Sequence, residues 1–303
     1  MADLRFDNRV AVITGAGRGL GRAYALLLAE RGAKVVVNDP GVSMSGDSTD
    51  EGPAEALVQE IKAAGGEAIA NTDSVATAEG GQAMIDAAIN TYGRIDIIIH
   101  NAGIVRRAPL AEMSHADFEL VLDVHLRGGF NVVRAAMPHM QQAGYGRIVL
   151  TGSVNGLYGK SENTNYSVAK AGLVGLSNTI AVEGEAFNIK SNVILPGAVT
   201  RMAEGLDTSQ YPPMEPEMVA PLVGWLSHES CSVSGEMLIS MAGRTAVAYT
   251  SETRGVYLPD LTMEAVAENI DAIHNTDNHL TFPVLPSGNL DHLMYCFQMA
   301  KQG

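Results

Sequence analysis

Tyr166 and Lys170 stand one helical turn apart in Tyr166-Ser167-Val168-Ala169-Lys170, and Ser153 lies a short way upstream. On a helix, positions i and i+4 share a face, so a phenol and an amine would meet there. That pairing suits oxidation of a secondary alcohol. The hydroxyl proton must leave with the hydride, and a free tyrosine, with a pKa of about 10, is a poor base at neutral pH. An ammonium nearby favours the phenolate, as does the positive charge of an oxidised nicotinamide. Lowering the phenol by ~2–3 pH units takes about 3–4 kcal/mol, within reach of two cations in a partly dry site. Ser153 would hold the substrate oxygen in line, and in the reverse direction the same tyrosine is the acid. A lone YxxxK spacing arises by chance in a chain with 9 tyrosines, so its context decides. Ser153 follows a buried-type strand, Arg147–Thr151, and Tyr166 opens a predicted helix over 164–187.

A second set of residues suits a dinucleotide. Thr14-Gly15-Ala16-Gly17-Arg18-Gly19-Leu20-Gly21 lies between a β-branched run, Arg9–Thr14, and a helical stretch, Arg22–Arg31. Gly15, Gly19 and Gly21 follow a GxxxGxG spacing. Missing side chains let backbone approach a pyrophosphate, and a helix start offers free N–H groups. Asp39 ends the next strand, Lys34–Asn38. A carboxylate there accepts from ribose hydroxyls and repels a 2′-phosphate, which favours NAD over NADP. Arg18 pulls the other way, because a guanidinium can pair with that phosphate; Asp39 is the stronger signal, since it occupies the ribose-facing strand end. Asp73-Ser74-Val75 and Asn101-Ala102-Gly103 follow the third and fourth strands. Asp73 is a candidate acceptor for the adenine amino group, and Asn101 a support near the nicotinamide ribose.

These groups need elements to carry them. Further strands are predicted over 67–70, 95–100, 191–195 and 236–240, and helices over 54–64, 78–92, 114–142, 216–228 and 262–275. Ser114 and Asp117 have the spacing of an N-terminal cap. Strands alternating with helices imply a parallel sheet covered on both faces, because parallel strands need crossovers. In such sheets ligands bind at the carboxyl edge, where all the residues above fall. The segment from Thr281 onward, with Pro283, Pro286 and Gly288, reads as an irregular arm that could cover the active site or a neighbouring subunit.

The chain has 303 residues and a formal net charge of −14. Length suits one large α/β domain over 1–250 and an extension over 251–303. The acidic balance argues against nucleic acid and anionic membranes as partners and leaves a small-molecule substrate. Cys231 and Cys296 have no metal-ligand spacing, and no metal site is expected. No signal peptide, membrane-length apolar run or terminal SKL is present, so a cytoplasmic location is expected.

Taken together, TGAGRGLG, Asp39, DSV, NAG, Ser153 and YSVAK resemble the short-chain dehydrogenase/reductase family over about residues 8–245. The resemblance implies a Rossmann-type, doubly wound, seven-stranded parallel sheet with a C-terminal helical extension, and a homodimer or homotetramer. VVVND, AGGEAIANTDSV, VHLRGGF and PEMVAPLVGWLSHESC are similar to the (3R)-hydroxyacyl-CoA dehydrogenase units of the peroxisomal multifunctional enzymes of type 2, whose bacterial relatives include 17β-hydroxysteroid dehydrogenases. His125 stands where many members carry an asparagine in a proton relay, so the resemblance implies a relay-supporting role. A helix-packing histidine is the alternative. Pro196-Gly197 matches a family motif near the nicotinamide, with Val199 and Thr200 following; the usual threonine offset is displaced. Arg106, Arg107, Lys160, Arg201 and Arg244 could meet a CoA tail, whereas Leu157, Tyr158, Met202, Leu206 and Tyr211 could line a steroid pocket. A ketone reductase and a catalytically silent dinucleotide sensor remain alternatives; the intact Ser153, Tyr166 and Lys170 count against the sensor.

Overall fold

The computed structural model describes residues 3–41, 43, 52–200 and 210–302. Strands β1 (Val10–Thr14), β2 (Lys34–Asn38), β3 (Glu67–Asn71), β4 (Ile97–His100), β5 (Gly146–Thr151), β6 (Ile189–Gly197), β7 (Met237–Met241) and β8 (Arg244–Ala248) form one sheet. Its order is β3-β2-β1-β4-β5-β6-β7-β8. The sheet is α/β and doubly wound, as expected, with β1 through β7 parallel. It has eight strands among the described residues where seven were expected. The extra strand, β8, runs antiparallel to β7. Ala242 and Gly243 join them with φ of 49° and 78°, the double positive φ of a tight hairpin. Alanine at the first of these positions hides the hairpin, because asparagine or glycine is its usual mark.

Helices α1 (Gly19–Glu30), α2 (Pro53–Ala63) and α3 (Ala78–Tyr92) supply the first crossovers. After β4 come α4 (His115–Leu122), a π-helical turn (Asp123–Arg127) and α5 (Gly128–Ala143). The predicted single helix over 114–142 is thus interrupted where His125 sits. Its start is as expected: the Ser114 hydroxyl accepts from Asp117 N at 3.0 Å. The short α6 (Asn155–Tyr158) leads into α7 (Thr164–Gly184), which presents Tyr166 and Lys170. α8 (Ala220–Ser227) begins later than predicted, after a tighter turn at Pro216–Met218. The predicted helix over 262–275 divides into α9 (Met263–Glu268) and α10 (Ile270–Ile273). The segment read as an irregular arm ends in α11 (Leu290–Gln302), with Leu290, Leu293, Met294 and Phe297 exposed.

Strand alternation splits the core in two. Ala11, Ile13, Val35, Val37, Ile97 and Ile99 pack with Leu28, Leu57, Ile61, Val223 and Leu226 of α1, α2 and α8. Val10, Val12, Val36, Ile98, Ile148 and Leu150 pack on the other face with Met84, Val132, Met140 and Leu173 of α3, α5 and α7. Each fully buried aliphatic side chain contributes about 1.5–3 kcal/mol. The C-terminal segment packs at the opposite end from the carboxyl edge: a Cβ on Gly235, which precedes β7, would meet Val284 at 2.8 Å. At Val284 this segment therefore lies away from the reactive edge.

Gly243→Val should cost about 1–3 kcal/mol, because a β-branched residue is forced to positive φ. Denaturant unfolding checks this, and an unchanged midpoint would contradict the hairpin geometry.

Candidate active site

The order β3-β2-β1-β4 reverses direction between β1 and β4, so the loops after these strands diverge and leave a crevice. Thr14 closes β1 and joins the two loops. Its hydroxyl oxygen accepts from Asn101 N and Ala102 N, each at 3.0 Å. The Asn101 amide returns a bond to Gly15 O at 3.0 Å. Contact is close enough that a Cβ on Gly15, at φ +61°, would lie 2.8 Å from Ala102 Cα. At Gly21 a Cβ would run into the Gly15 carbonyl oxygen.

The crevice is a cleft of about 290 Å³. Gly15, Arg18, Gly19, Leu20, Asp39, Ser74, Val75, Asn101, Ala102, Gly103 and Thr200 line it. Asn38, Pro40, Ala76, Ile104, Leu120 and Val124 line it as well, though no motif marks them. Asp39 is buried, with one carboxylate oxygen accepting from Gly17 N at 3.0 Å and the other from Gly41 N at 2.8 Å. Gly17, absent from the spacing argument, is therefore the glycine that meets the carboxylate. Each Asp39 oxygen keeps a further lone pair for a ribose hydroxyl. The loop between β1 and α1, the N-terminus of α1 and this carboxylate fit a dinucleotide. Asp73 departs from expectation: it is exposed, does not line the cleft, and its carboxylate accepts from the Asn71 amide at 2.7 Å. Pro196 and Gly197 end β6 against Ser240 and Met241, and Val199 donates to Met214 O at 2.7 Å. Neither this pair nor Val199 lines the cleft, whereas Thr200 approaches the glycine loop.

α7 carries the reactive pair to the same edge. The Lys170 ammonium nitrogen lies 5.5 Å from the Tyr166 ring centroid and donates to Thr151 O at 2.5 Å. The Ser153 side chain, whose hydroxyl oxygen accepts from Asn155 N at 3.1 Å, is near enough to the Tyr166 phenol to favour its phenolate. Thr151 and Ser153 close β5, so strand and helix converge as the spacing implies. The electrostatics differ from the expectation of a depressed phenol. Burial pushes Tyr166 up, and the Ser153 side chain offsets only part of it. Burial also pushes Lys170 down to about 7, so its charge is partial at neutral pH.

His125 is fully buried in the π-helical turn, its ring edge-on to Tyr166 with centroids 5.2 Å apart. Nε2 lies 2.9 Å from Ile104 O and 3.1 Å from Ile104 N. It has one proton to place, and Nδ1 has no partner. Donation from Nε2 to Ile104 O leaves the Ile104 N–H and the Nδ1 acceptor unpaired, whereas a proton on Nδ1 would let Nε2 accept from Ile104 N but leave Nδ1–H without a partner. Burial first, then Lys170, holds this imidazole well below its ordinary pKa. His100, which no motif singled out, sits beside it. Burial and Lys170 bring it to about 4.

At the rim, Arg106 pairs with Asp117 at 3.0 Å. Arg107 and Lys160 are exposed, on segments joined by a backbone bridge between Ala108 and Asn163. Arg244 is exposed in the β7–β8 hairpin, Leu157 is partly buried, and Tyr158 and Tyr211 are exposed. Arg201, Met202 and Leu206 lie outside the described residues.

A crevice at the strand-order reversal, with phenol, amine and hydroxyl converging beside it, defines an oxidoreductase of the dinucleotide-binding α/β class. The family model described as short chain dehydrogenase matches residues 9–210. The chain belongs to the short-chain dehydrogenase/reductase family, whose members act on CH–OH groups. It is 48% identical over 256 residues to peroxisomal multifunctional enzyme type 2 of Drosophila melanogaster, covering 84% of this chain and 42% of that protein. It is 48% identical over 246 residues to the peroxisomal hydratase-dehydrogenase-epimerase of Saccharomyces cerevisiae, covering 80% of this chain and 27% of that one. The solved structure of the full-length Drosophila enzyme superposes with a TM-score of 0.81 at 36% identity, covering 99% of this chain and 50% of that one. The chain thus spans less than half the length of these two curated relatives. Their names also correct the expected cytoplasmic location, since they are peroxisomal proteins. The missing SKL was a poor guide, because a chain covering part of such relatives need not carry their targeting signal.

The buried histidines set an acid limit. Unfolded, an imidazole titrates at about 6.5; folded, His100 does so at about 4. Their stabilisation is complete above about pH 6.5 and is lost as pH falls toward 4, where only the unfolded chain takes up the proton. His100 alone should remove about 3 kcal/mol across that window. Denaturant melts from pH 7 to pH 4 should show a shallower slope in His100→Asn than in the wild type; parallel slopes would contradict the burial argument.

Proposed function

We propose that the protein is an NAD-dependent dehydrogenase that oxidises the secondary alcohol of a 3-hydroxyacyl-CoA to the ketone. The observation that carries this reading is the convergence of Ser153, Tyr166 and Lys170 beside the glycine-lined cleft. Gly15, Arg18, Gly19, Leu20, Asp39, Ser74, Val75, Asn101, Ala102, Gly103 and Thr200 would hold the dinucleotide, with Gly21 packed beneath. Tyr166 and Lys170 would flank its nicotinamide end, and Pro196, Gly197 and Val199 would bring Thr200 to it. Bound NAD supplies the hydride acceptor and a positive ring that favours the phenolate. Ser153 hydrogen-bonds the alcohol oxygen, Tyr166 takes its proton, and Lys170 stabilises the phenolate. His125 holds Ile104 behind the Asn101-Ala102-Gly103 loop.

NAD rather than NADP is supported by Asp39, a buried carboxylate at the end of β2. An acyl-CoA is supported by Arg107 and Lys160, brought to one rim and suited to phosphates. The yeast relative's name pairs a hydratase with a dehydrogenase. Adding water to a carbon–carbon double bond yields the kind of alcohol such a dehydrogenase consumes. Residues 1–250 would carry the whole site, with 251–303 as the extension. Val168 and Val182 of α7 and Phe130 of α5 are exposed apolar residues, which favours a homodimer or homotetramer.

NADH formation from a panel of 3-hydroxyacyl-CoAs and 17β-hydroxysteroids tests the reading. Turnover with the CoA esters and loss of at least about a hundredfold in Tyr166→Phe are expected. Turnover of steroids alone would overturn the substrate assignment. Asp39→Ala should weaken NAD binding and relax discrimination against NADP; an unchanged preference would remove the cofactor argument. Lys170→Ala should move the limb on which oxidation rises with pH to higher pH, and an unmoved profile would deny that lysine its electrostatic role.

A further inference from the structure

We propose that His100 is a positioning residue, whose imidazole ties the Thr14 hydroxyl to the His125 carbonyl and so sets where the π-helical turn presents His125 to Tyr166. The proposal rests on the reading of Tyr166 as the proton-transferring group.

His100 ends β4 and is buried. Its Nδ1 lies 3.0 Å from Thr14 Oγ1 and its Nε2 lies 2.8 Å from His125 O. The partners dictate the protons. A carbonyl only accepts, so Nε2 carries the hydrogen. The Thr14 oxygen already accepts from Asn101 N and Ala102 N, so its own hydrogen goes to Nδ1. Every donor and acceptor on Thr14 and His100 is then used once. Only the neutral ring with hydrogen on Nε2 completes this arrangement. A second proton would point Nδ1–H at an oxygen with no lone pair left. Lys170 of α7 and His125 of the π-helical turn are the titratable neighbours that bear on the ring. Burial opposes such a proton most and Lys170 opposes it by charge, together outweighing the hydrogen bond to the His125 carbonyl, which favours it.

Packing confines the ring as well. A Cβ on Gly129 would stand 3.1 Å from His100 Cδ2, and one on Gly128 would stand 3.3 Å from Cε1. The two glycines that follow the π-helical turn therefore leave room for this imidazole. The His125 carbonyl is pinned from the sheet side while its ring is pinned by Ile104. Both ends of the residue that lies against Tyr166 are thus held from the end of β4 and the loop that follows it.

Asparagine and glutamine separate the two halves of the tie. An asparagine oxygen replaces Nδ1 and keeps the Thr14 contact, but its side chain is too short to reach His125 O. A glutamine amide replaces the Nε2–H donor. His100→Asn should lower kcat about tenfold while dinucleotide Kd, read by NADH fluorescence, stays within about twofold. His100→Gln should restore kcat to within about threefold of wild type. Nitrogen-15 NMR of the histidine-labelled wild type should show His100 neutral with hydrogen on Nε2 at pH 6. Wild-type kcat in His100→Asn, equal losses in both variants, or hydrogen on Nδ1 would each overturn the proposal. A wild-type protein without turnover would instead sink the Tyr166 reading and this role with it, while the labelled ring would still report whether the tie exists.

Discussion

The proposed chemistry depends on an amine held in a nearly dry site. Lys170 is buried and gives its hydrogen bond to Thr151 O. Desolvation disfavours its charge, and the same burial disfavours the phenolate of Tyr166. Both groups are pushed toward neutrality by the surroundings that would make their attraction strong. A lysine near 7 is balanced, so small changes in local polarity decide whether it is an ammonium. A bound nicotinamide would add a positive ring on the phenol side of that balance, where the Ser153 side chain already favours the phenolate. The neutral histidines His100 and His125 add no competing charge.

The balance holds only if the surrounding backbone stays still. Thr14 and His100 link the end of β1 to the end of β4 and to the π-helical turn. Asp39 links the end of β2 to the glycine loop through Gly17 N. Three strand ends are thus cross-tied at the edge where the crevice opens. Backbone N–H groups that would otherwise be unpaired are satisfied by side chains, which ties the loops to the strand ends. Such preorganisation is what electrostatic control of a proton transfer requires.

The family relationship and the site geometry agree on an oxidoreductase and differ in reach. The matched family model and the relatives establish the class. The proposed choice of alcohol rests on the rim, where the segments that carry Arg107 and Lys160 meet. That meeting depends on a bridge between Ala108 and Asn163, residues far apart in the chain.

Much of the layout was legible from local pattern. Alternating strand and helix periodicity is a property of a dozen residues at a time, so the parallel sheet, the edge bearing the motifs and the α3 boundaries follow from it. The one-turn spacing of Tyr166 and Lys170 is likewise local, and the helix delivers it. Contacts between chain segments without a motif were not legible. His100 reads as a strand end, Gly17 as one glycine among several, and Ala242-Gly243 as an unremarkable pair; each acquires its role from a partner brought close by folding. The exposed Asp73 and the raised phenol went against expectation for the same reason. Solvent exposure and desolvation depend on everything packed around a group, and sequence spacing carries only what neighbours along the chain impose. The chain's own order of residue types therefore determined which groups meet at the sheet edge. Tertiary packing alone decided their protonation, their hydrogen-bond partners and which of them face the cleft.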